Sequence, residues 1–135
     1  VFTPMSVVAN PNFELIKESN FNEYHYESFT DTCNRYPNHD RVHELWLEGI
    51  QNETFVPQFH GREHLNVKRW MDGLKANDKG LKVMFEHQSI GANYIDNKPI
   101  TEHLAAFDPE KKADTITLSD ENMIAELTSG SWFTV

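Results

Sequence analysis

The amino-acid sequence predicts an α/β fold with parallel strands, because short apolar runs alternate with segments of helical periodicity. Runs rich in β-branched or aromatic residues predict strands at residues 1–9, 54–59 and 81–85. These runs show little alternation of apolar and polar residues, which is typical of strands covered on both faces. Three strands are few for a complete sheet of this kind, so the chain looks like part of an α/β layer or barrel.

Helices are predicted between these strands. Residues 13–18 form the first, with Asn10 suited to the N-cap and Pro11 to the first helical position. Apolar residues at helical spacing predict two more helices, marked by Val42, Leu45, Trp46 and Ile50 and by Val67, Trp70, Met71 and Leu74. Asn66 suits the N-cap of the second of these. Two last helices are predicted at residues 99–107 and 119–127.

Length and composition limit the class of protein. The chain has 135 residues, enough for one domain or a piece of a larger one, and 39% of them are hydrophobic, which suits an ordinary core. A net charge of -9 argues against nucleic acid as a partner. No apolar run is long enough to span a membrane. The single cysteine, Cys33, cannot form an intrachain disulfide, so a metal site would need histidine and carboxylate ligands.

The strongest candidate for chemistry is a pair of histidines, His60 and His64, placed directly after the apolar run 54–59. Two imidazoles four residues apart can converge on one divalent metal. Ligand and catalytic residues of α/β folds gather in loops at the carboxyl ends of strands. Gly61 allows a sharp turn there, and Asn66 starts a helix only after both histidines. The sequence therefore predicts a strand-end metal site.

A second pair has the same spacing but a different position. His39 and His43 run into the amphipathic helix of residues 40–50, so His43 is interpreted as a residue on the flank of that helix. Glu63 stands beside the second histidine of the first pair, so that segment is not the His-Glu-x-x-His motif of metalloproteases. Position after a strand, more than spacing, separates the two pairs.

Residues 55–66, with His60 and His64 in the order Phe-Val-Pro-Gln-Phe-His-Gly-Arg-Glu-His-Leu-Asn, resemble a family. The His-x-x-x-His after a strand is similar to the second metal-binding motif of polysaccharide deacetylases of carbohydrate esterase family four. The longer segment resembles a deacetylase-like group encoded in bacterial surface-polysaccharide gene clusters. Similarity to that group extends over residues 1–110 and includes Phe2-Thr-Pro-Met-Ser6, Asn10-Pro-Asn-Phe13, Arg35-Tyr-Pro37, Glu44-Leu-Trp46 and Gly49-Ile50.

The resemblance implies a single deacetylase-like domain over residues 1–135, forming part of a distorted parallel (β/α) barrel. It implies a divalent metal, zinc or else cobalt or nickel, held by His60, His64 and one aspartate. It also implies a catalytic aspartate, and a hydrolase that removes N-acetyl groups from a surface glycan or its precursor. No Asp-Asp pair occurs in the chain, so the expected aspartates would lie upstream of Val1.

Other predictions concern the residues around the histidines. Arg62 could hold a substrate carboxylate or acetyl oxygen, and Glu63 could orient a histidine, although an ion pair between them is the simpler interpretation. The aromatic residues of the segment that follows the first helix suit core packing first and sugar stacking second: Phe21, Tyr24, Tyr26, Phe29 and Tyr36. Residues 21–29 fit either a strand or an ordered loop.

Two other functions remain open from the sequence. One is a non-catalytic fragment that binds carbohydrate or a partner chain and holds no metal, and the other is an α/β module with a structural metal. Sheet edges left open by a partial barrel predict self-association. No signal peptide is visible at the start, which favours a cytoplasmic location, although a chain cut from a longer protein could have lost one.

Overall fold

The structure, a computed structural model, describes residues 2–95 and 98–100. They form a mixed α/β arrangement, which confirms the predicted class. The strands are β1 (Met5–Ser6), β2 (Ala9–Pro11), β3 (Tyr26–Ser28), β4 (Gln58–Phe59), β5 (Ala92–Ile95) and β6 (Lys98–Ile100). The helices are α1 (Phe13–Glu18), α2 (Phe29–Arg35), α3 (Val42–Gln51), α4 (Val67–Lys75) and α5 (Lys79–Glu86). These residues divide into two compact units, the first comprising 2–10 and 26–63 and the second comprising 11–25, 64–95 and 98–100.

The first unit contains a short parallel pair, β1 and β4. Met5 pairs with Gln58 and Ser6 with Phe59, and a further parallel bridge joins Phe2 to Phe55. Every second amide of the later strand donates to the earlier one at 2.8–3.0 Å, in the pairs Val56 to Phe2, Gln58 to Pro4 and His60 to Ser6. The first two apolar runs of the sequence therefore pair in parallel, over fewer residues than predicted.

Aromatic packing holds the helices of the first unit. The ring of Trp46 on α3 lies 5.0 Å from the ring of Phe55 and 6.2 Å from that of Phe29. Gly49, one turn along α3, lies so close to Phe55 that an added Cβ would come within 2.3 Å of the ring. A glycine is therefore required where the helix crosses the aromatic ring.

The second unit has a core built mainly from α4 and α5. Its buried residues are Ile16, Leu65, Trp70, Met71, Leu74, Leu81 and Phe85. Trp70 and Leu74 are fully buried, and Met71 beside them is 6% exposed, as expected for one face of an amphipathic helix. The predicted helix at this place is confirmed, and so is its N-cap, because the Asn66 side chain accepts a hydrogen bond from the amide of Arg69 at 3.0 Å.

The strand predicted at residues 81–85 is wrong, because these residues lie in α5. The Asp78 side chain caps this helix by accepting a hydrogen bond from the Leu81 amide at 3.0 Å. Leu81 and Phe85 are buried whereas Val83 between them is 43% exposed. A strand would have placed all three on one face, so the burial follows the helical period and not the strand period.

The remaining predictions have mixed outcomes. The helix at 13–18 is confirmed as α1, but its N-cap is Asn12 and not Asn10. The Asn12 side chain accepts a hydrogen bond from the Leu15 amide at 3.1 Å.

The helix predicted from Pro99 is wrong at its start, since β6 includes Pro99 and its Ile100 pairs antiparallel with Ala92. Proline has no backbone N–H to donate, and an edge strand tolerates it because one side of such a strand makes no hydrogen bonds to a neighbouring strand. Residues 101–107 and the helix predicted at 119–127 lie outside the described residues.

Replacing Asn66 with alanine is expected to lower the free energy of unfolding by about 0.5–2 kcal/mol, because the first amides of α4 lose their side-chain acceptor. Asn66 is 2% exposed, so water cannot easily take its place. Urea denaturation followed by circular dichroism measures the change. Asn66→Ser, which keeps a capping oxygen, should recover most of the loss, and equal losses for both variants would contradict the capping role.

Candidate functional site

The carboxyl ends of β1 and β4 lie side by side, and His60 follows β4 directly. Its backbone amide donates to the Ser6 carbonyl at 2.8 Å, so the parallel pairing continues to this residue. The side chain of His60 is exposed. A polar residue at this edge occupies the position where α/β folds bind ligands, since the chain turns there from strand to loop.

The loop after His60 is attached to the chain that follows β1. Gly61 is buried and adopts φ 111°, a conformation that side-chain-bearing residues rarely adopt. The carbonyl of Arg62 then accepts hydrogen bonds from two consecutive amides, those of Val8 at 3.0 Å and Ala9 at 2.8 Å. Both of these residues are buried. The loop therefore has a defined backbone path and does not depend on its side chains alone for its position.

Arg62 and Glu63 form a buried ion pair on this loop. The Arg62 Nε donates to Glu63 Oε2 at 2.5 Å, and the second guanidinium contact, to Oε1, is 2.6 Å. Only 18% of the Arg62 side chain and 4% of the Glu63 side chain are exposed. A two-bond pair of this kind has a fixed geometry. The ion pair considered from the sequence is present, while roles for Arg62 in substrate binding and for Glu63 in orienting a histidine stay predictions.

Tyr26 on β3 completes the cluster around this pair. The guanidinium carbon of Arg62 lies 4.4 Å from the centroid of the Tyr26 ring, within the range of a cation–π contact. Tyr26 is nevertheless 54% exposed. Glu63 therefore holds Arg62, and Arg62 in turn contacts one face of an exposed aromatic ring beside the loop that carries His60.

The two predicted metal ligands differ in their surroundings. His60 belongs to the first unit, and His64 opens the next segment of the second unit, two residues before the cap Asn66. Both histidine side chains are exposed. Among residues 2–95 and 98–100, no group of three or more histidine, cysteine, aspartate or glutamate side chains is arranged to hold a metal ion. The described residues thus offer two exposed histidines and no complete ligand set.

The other histidines occupy ordinary structural positions. His43 lies in the first turn of α3, with its ring 6.3 Å from that of Phe29, as the helix-flank interpretation predicted. His39 is exposed, and its Nδ1 lies 2.9 Å from the Pro37 carbonyl oxygen. His25 lies 3.6 Å from a Glu23 carboxylate oxygen. His103 lies outside the residues that the structure describes.

Of the five aromatic residues considered for sugar stacking, three are packed against other residues and two are exposed. Phe21 and Tyr24 pack against the core of the second unit, and Phe29 packs on Trp46. Tyr26 and Tyr36 are 54% and 49% exposed. Core packing, the first interpretation, holds for the three that pack, and the two exposed tyrosines are the ones available to a ligand.

The attachment of the loop to Val8 and Ala9 is the part of the site that sequence reasoning missed. No local pattern pairs residue 62 with residues 8 and 9. One missed element did have a sequence indication: Ser28 is the N-cap of α2, since its Oγ accepts from the Asp31 amide at 3.1 Å and donates to the Asp31 carboxylate at 2.7 Å. That pattern could have predicted α2, and hence that β3 ends at Ser28.

A cleft on the second unit is a weaker candidate. It is lined by Phe13, Glu14, Lys17, Phe85, Glu86 and Gln88 and has a volume of ≈ 130 Å³. Ligand pockets usually exceed roughly 300 Å³. Beside it, Lys82 lies over the Phe21 ring, and the pKa of its ammonium is lowered because burial outweighs the opposing effect of the Glu86 carboxylate. The cleft is too small and shallow to compete with the strand edge.

The fold and the strand edge together define a class: a mixed α/β chain with a histidine-bearing loop at the carboxyl edge of a parallel pair. No helix among the described residues is both long and apolar enough to cross a membrane. Comparison of the chain with protein families, curated proteins and solved structures found no match.

Proposed function

We propose that the chain belongs to a metal-dependent hydrolase of the polysaccharide deacetylase type, which removes N-acetyl groups from a surface glycan or its precursor. The observation that carries the proposal is the position of His60, exposed at the carboxyl edge of a parallel strand pair. The resemblance of residues 55–66 to the deacetylase-like group supplies the reaction class.

The proposal includes a larger fold. The pair formed by β1 and β4 would belong to a distorted parallel (β/α) barrel, whose further strands would cover its open edges. Exposed apolar side chains on and beside this pair support it, since Phe2, Met5 and Val56 are each more than half exposed. Such residues are normally covered by neighbouring elements or by a second chain.

His60 and His64 would supply two of three ligands to zinc, cobalt or nickel. Imidazole suits all three metals, and both histidines are exposed. The third ligand would be a carboxylate from outside the described residues. When bound, such a metal acts as a Lewis acid that activates water and polarises an amide carbonyl. The contribution of the loop is to hold His60 in place through the backbone hydrogen bonds of the His60 amide and the Arg62 carbonyl.

Zinc is expected to raise the thermal unfolding temperature of the untagged chain, because a ligand that binds the folded state stabilises it. The gain should approach about 2.7 kcal/mol at a zinc concentration of one hundred times Kd. Differential scanning calorimetry and metal analysis after dialysis measure stabilisation and stoichiometry. His60→Ala and His64→Ala should each remove the zinc-dependent gain.

The matched control for this experiment is His39→Gln with His43→Gln, which removes a histidine pair of the same spacing from the segment that leads into α3. That double variant should keep the full zinc response. Binding of less than about a tenth of an equivalent of zinc, cobalt or nickel by the unsubstituted chain, with no gain in unfolding temperature, would contradict a metal site formed by this chain.

A non-catalytic carbohydrate-binding role is the second candidate, and the exposed ring of Tyr26 favours it. Exposed tyrosines pack against the CH faces of sugar rings without any metal. The two functions differ in their response to a chelator. Deacetylation of an N-acetylated oligosaccharide would stop when EDTA is added, whereas binding alone would continue.

A further inference from the structure

Tyr26, beside the loop that follows His60, has surroundings unlike those of the other exposed aromatic residues that the structure describes. Its partner Arg62 is mostly buried, and Glu63 fixes the guanidinium through two hydrogen bonds. Exposed arginines usually sample many rotamers, but a guanidinium held at two nitrogens does not. The plane of the Tyr26 ring therefore has a buried, charged support on one side.

Exposure of the ring leaves a surface for a ligand. Tyr26 is 54% exposed although Arg62 covers part of it at 4.4 Å from the centroid. An aromatic ring that is both ordered and accessible suits the apolar CH face of a pyranose, because little side-chain entropy is lost on contact. The amide of Phe29, the residue directly after the same strand, donates to the Val8 carbonyl at 2.9 Å, so the backbone that carries the ring is also attached.

We propose that Tyr26 is a sugar-stacking residue beside the loop that follows His60, and that Arg62 and Glu63 are positioning residues for its ring. The inference rests on the proposed glycan substrate, but it requires no metal. It assigns Arg62 and Glu63 to the support of Tyr26 and not to direct contact with substrate. Tyr36 provides a comparison, because it is 49% exposed and its ring neighbour is His39, at 6.4 Å between centroids.

Binding of tri-N-acetylchitotriose to the full chain, measured by NMR titration in EDTA, tests the assignment. Tyr26→Ala is expected to weaken binding about tenfold, because the stacking surface is lost. Tyr26→Phe keeps the ring and should stay within about twofold of the unsubstituted chain. Tyr36→Ala is the matched control and should also stay within about twofold. Tyr26→Leu, which keeps apolar volume, replaces Tyr26→Ala if that variant does not fold.

A double-mutant cycle tests the positioning role. Arg62→Lys keeps a positive charge but loses the planar group and should weaken binding about threefold when Tyr26 is present. In the Tyr26→Ala background the same change should have no effect on binding. Equal effects in both backgrounds would show that Arg62 acts through stability alone and would overturn its role.

Two results would overturn the assignment of Tyr26. One is no binding by the unsubstituted chain up to about 10 mM sugar, and the other is an equal loss for Tyr26→Ala and Tyr36→Ala. A different result would count against the metal site: the chain would still bind sugar in EDTA, but zinc would not raise its unfolding temperature. Loss of sugar binding with a normal zinc response would leave the proposed metal site standing and remove the stacking residue.

Discussion

Replacing Glu63 with alanine is expected to lower the free energy of unfolding by about 3–5 kcal/mol, because it removes the carboxylate that holds a mostly buried guanidinium. Arg62 is 18% exposed and Glu63 only 4%, so water could solvate the remaining charge only in part. Urea denaturation followed by circular dichroism measures the loss. The effect should be larger than that of any surface ion pair in the described part of the chain.

The matched control is Glu44→Ala. Glu44 pairs with Arg41 at 3.2 Å, and both side chains are 70% exposed. Its loss should cost less than about 1 kcal/mol, since exposed ion pairs are solvated and screened. The double change Arg62→Met with Glu63→Leu should recover part of the stability lost in Glu63→Ala, because it leaves no charge behind. Similar losses for Glu63→Ala and Glu44→Ala would contradict the burial of the first pair.

Replacing Trp70 with alanine is expected to lower the free energy of unfolding by about 3–5 kcal/mol, because a large cavity would open in the core of the second unit. Trp70 is fully buried, and its ring centroid lies 5.7 Å from that of Phe85 and 6.1 Å from that of Phe13. These rings come from three separate helices, so the loss would loosen α1, α4 and α5 together.

Lys68→Ala on the same helix is the control for Trp70→Ala. Lys68 is 59% exposed and its partner is Asp72, one turn along. Its loss should change stability by less than about 1 kcal/mol. Chemical denaturation with near-ultraviolet circular dichroism distinguishes the two, and a loss below about 1 kcal/mol for Trp70→Ala would contradict the central position of this side chain.

Several helices could be predicted because the residues that determine them are close together in the sequence. The amphipathic period of residues 67–74 and the cap at Asn66 both lie within a few residues, so α4 was predicted with its N-cap. The short apolar run 81–85 was wrongly predicted as a strand, because so short a run does not distinguish strand from helix by periodicity, and the cap at Asp78 decides for the helix. An aspartate three residues before an apolar run was thus the overlooked indication.

The position of the candidate site along the chain could be predicted from the sequence, but the contacts between its residues could not. His60 follows a strand in the structure as predicted, since the apolar run before it pairs in parallel with the first run. The pairing of Arg62 with Glu63 was one of two interpretations. Tyr26 lies thirty-six positions before Arg62 and was one of five aromatic residues considered for sugar stacking. No pattern in the sequence connects it with Arg62, which it contacts in the structure.

The sequence by itself determined the mixed α/β class, the helices with strong period or caps, and the strand-end position of His60. The tertiary structure alone decided that the loop after His60 is attached to Val8 and Ala9, and that Arg62 lies between Glu63 and Tyr26. The physical reason is the sequence separation of the residues involved. Periodicity and capping depend on residues a few positions apart, whereas these contacts form only when long loops close and buried charges pair.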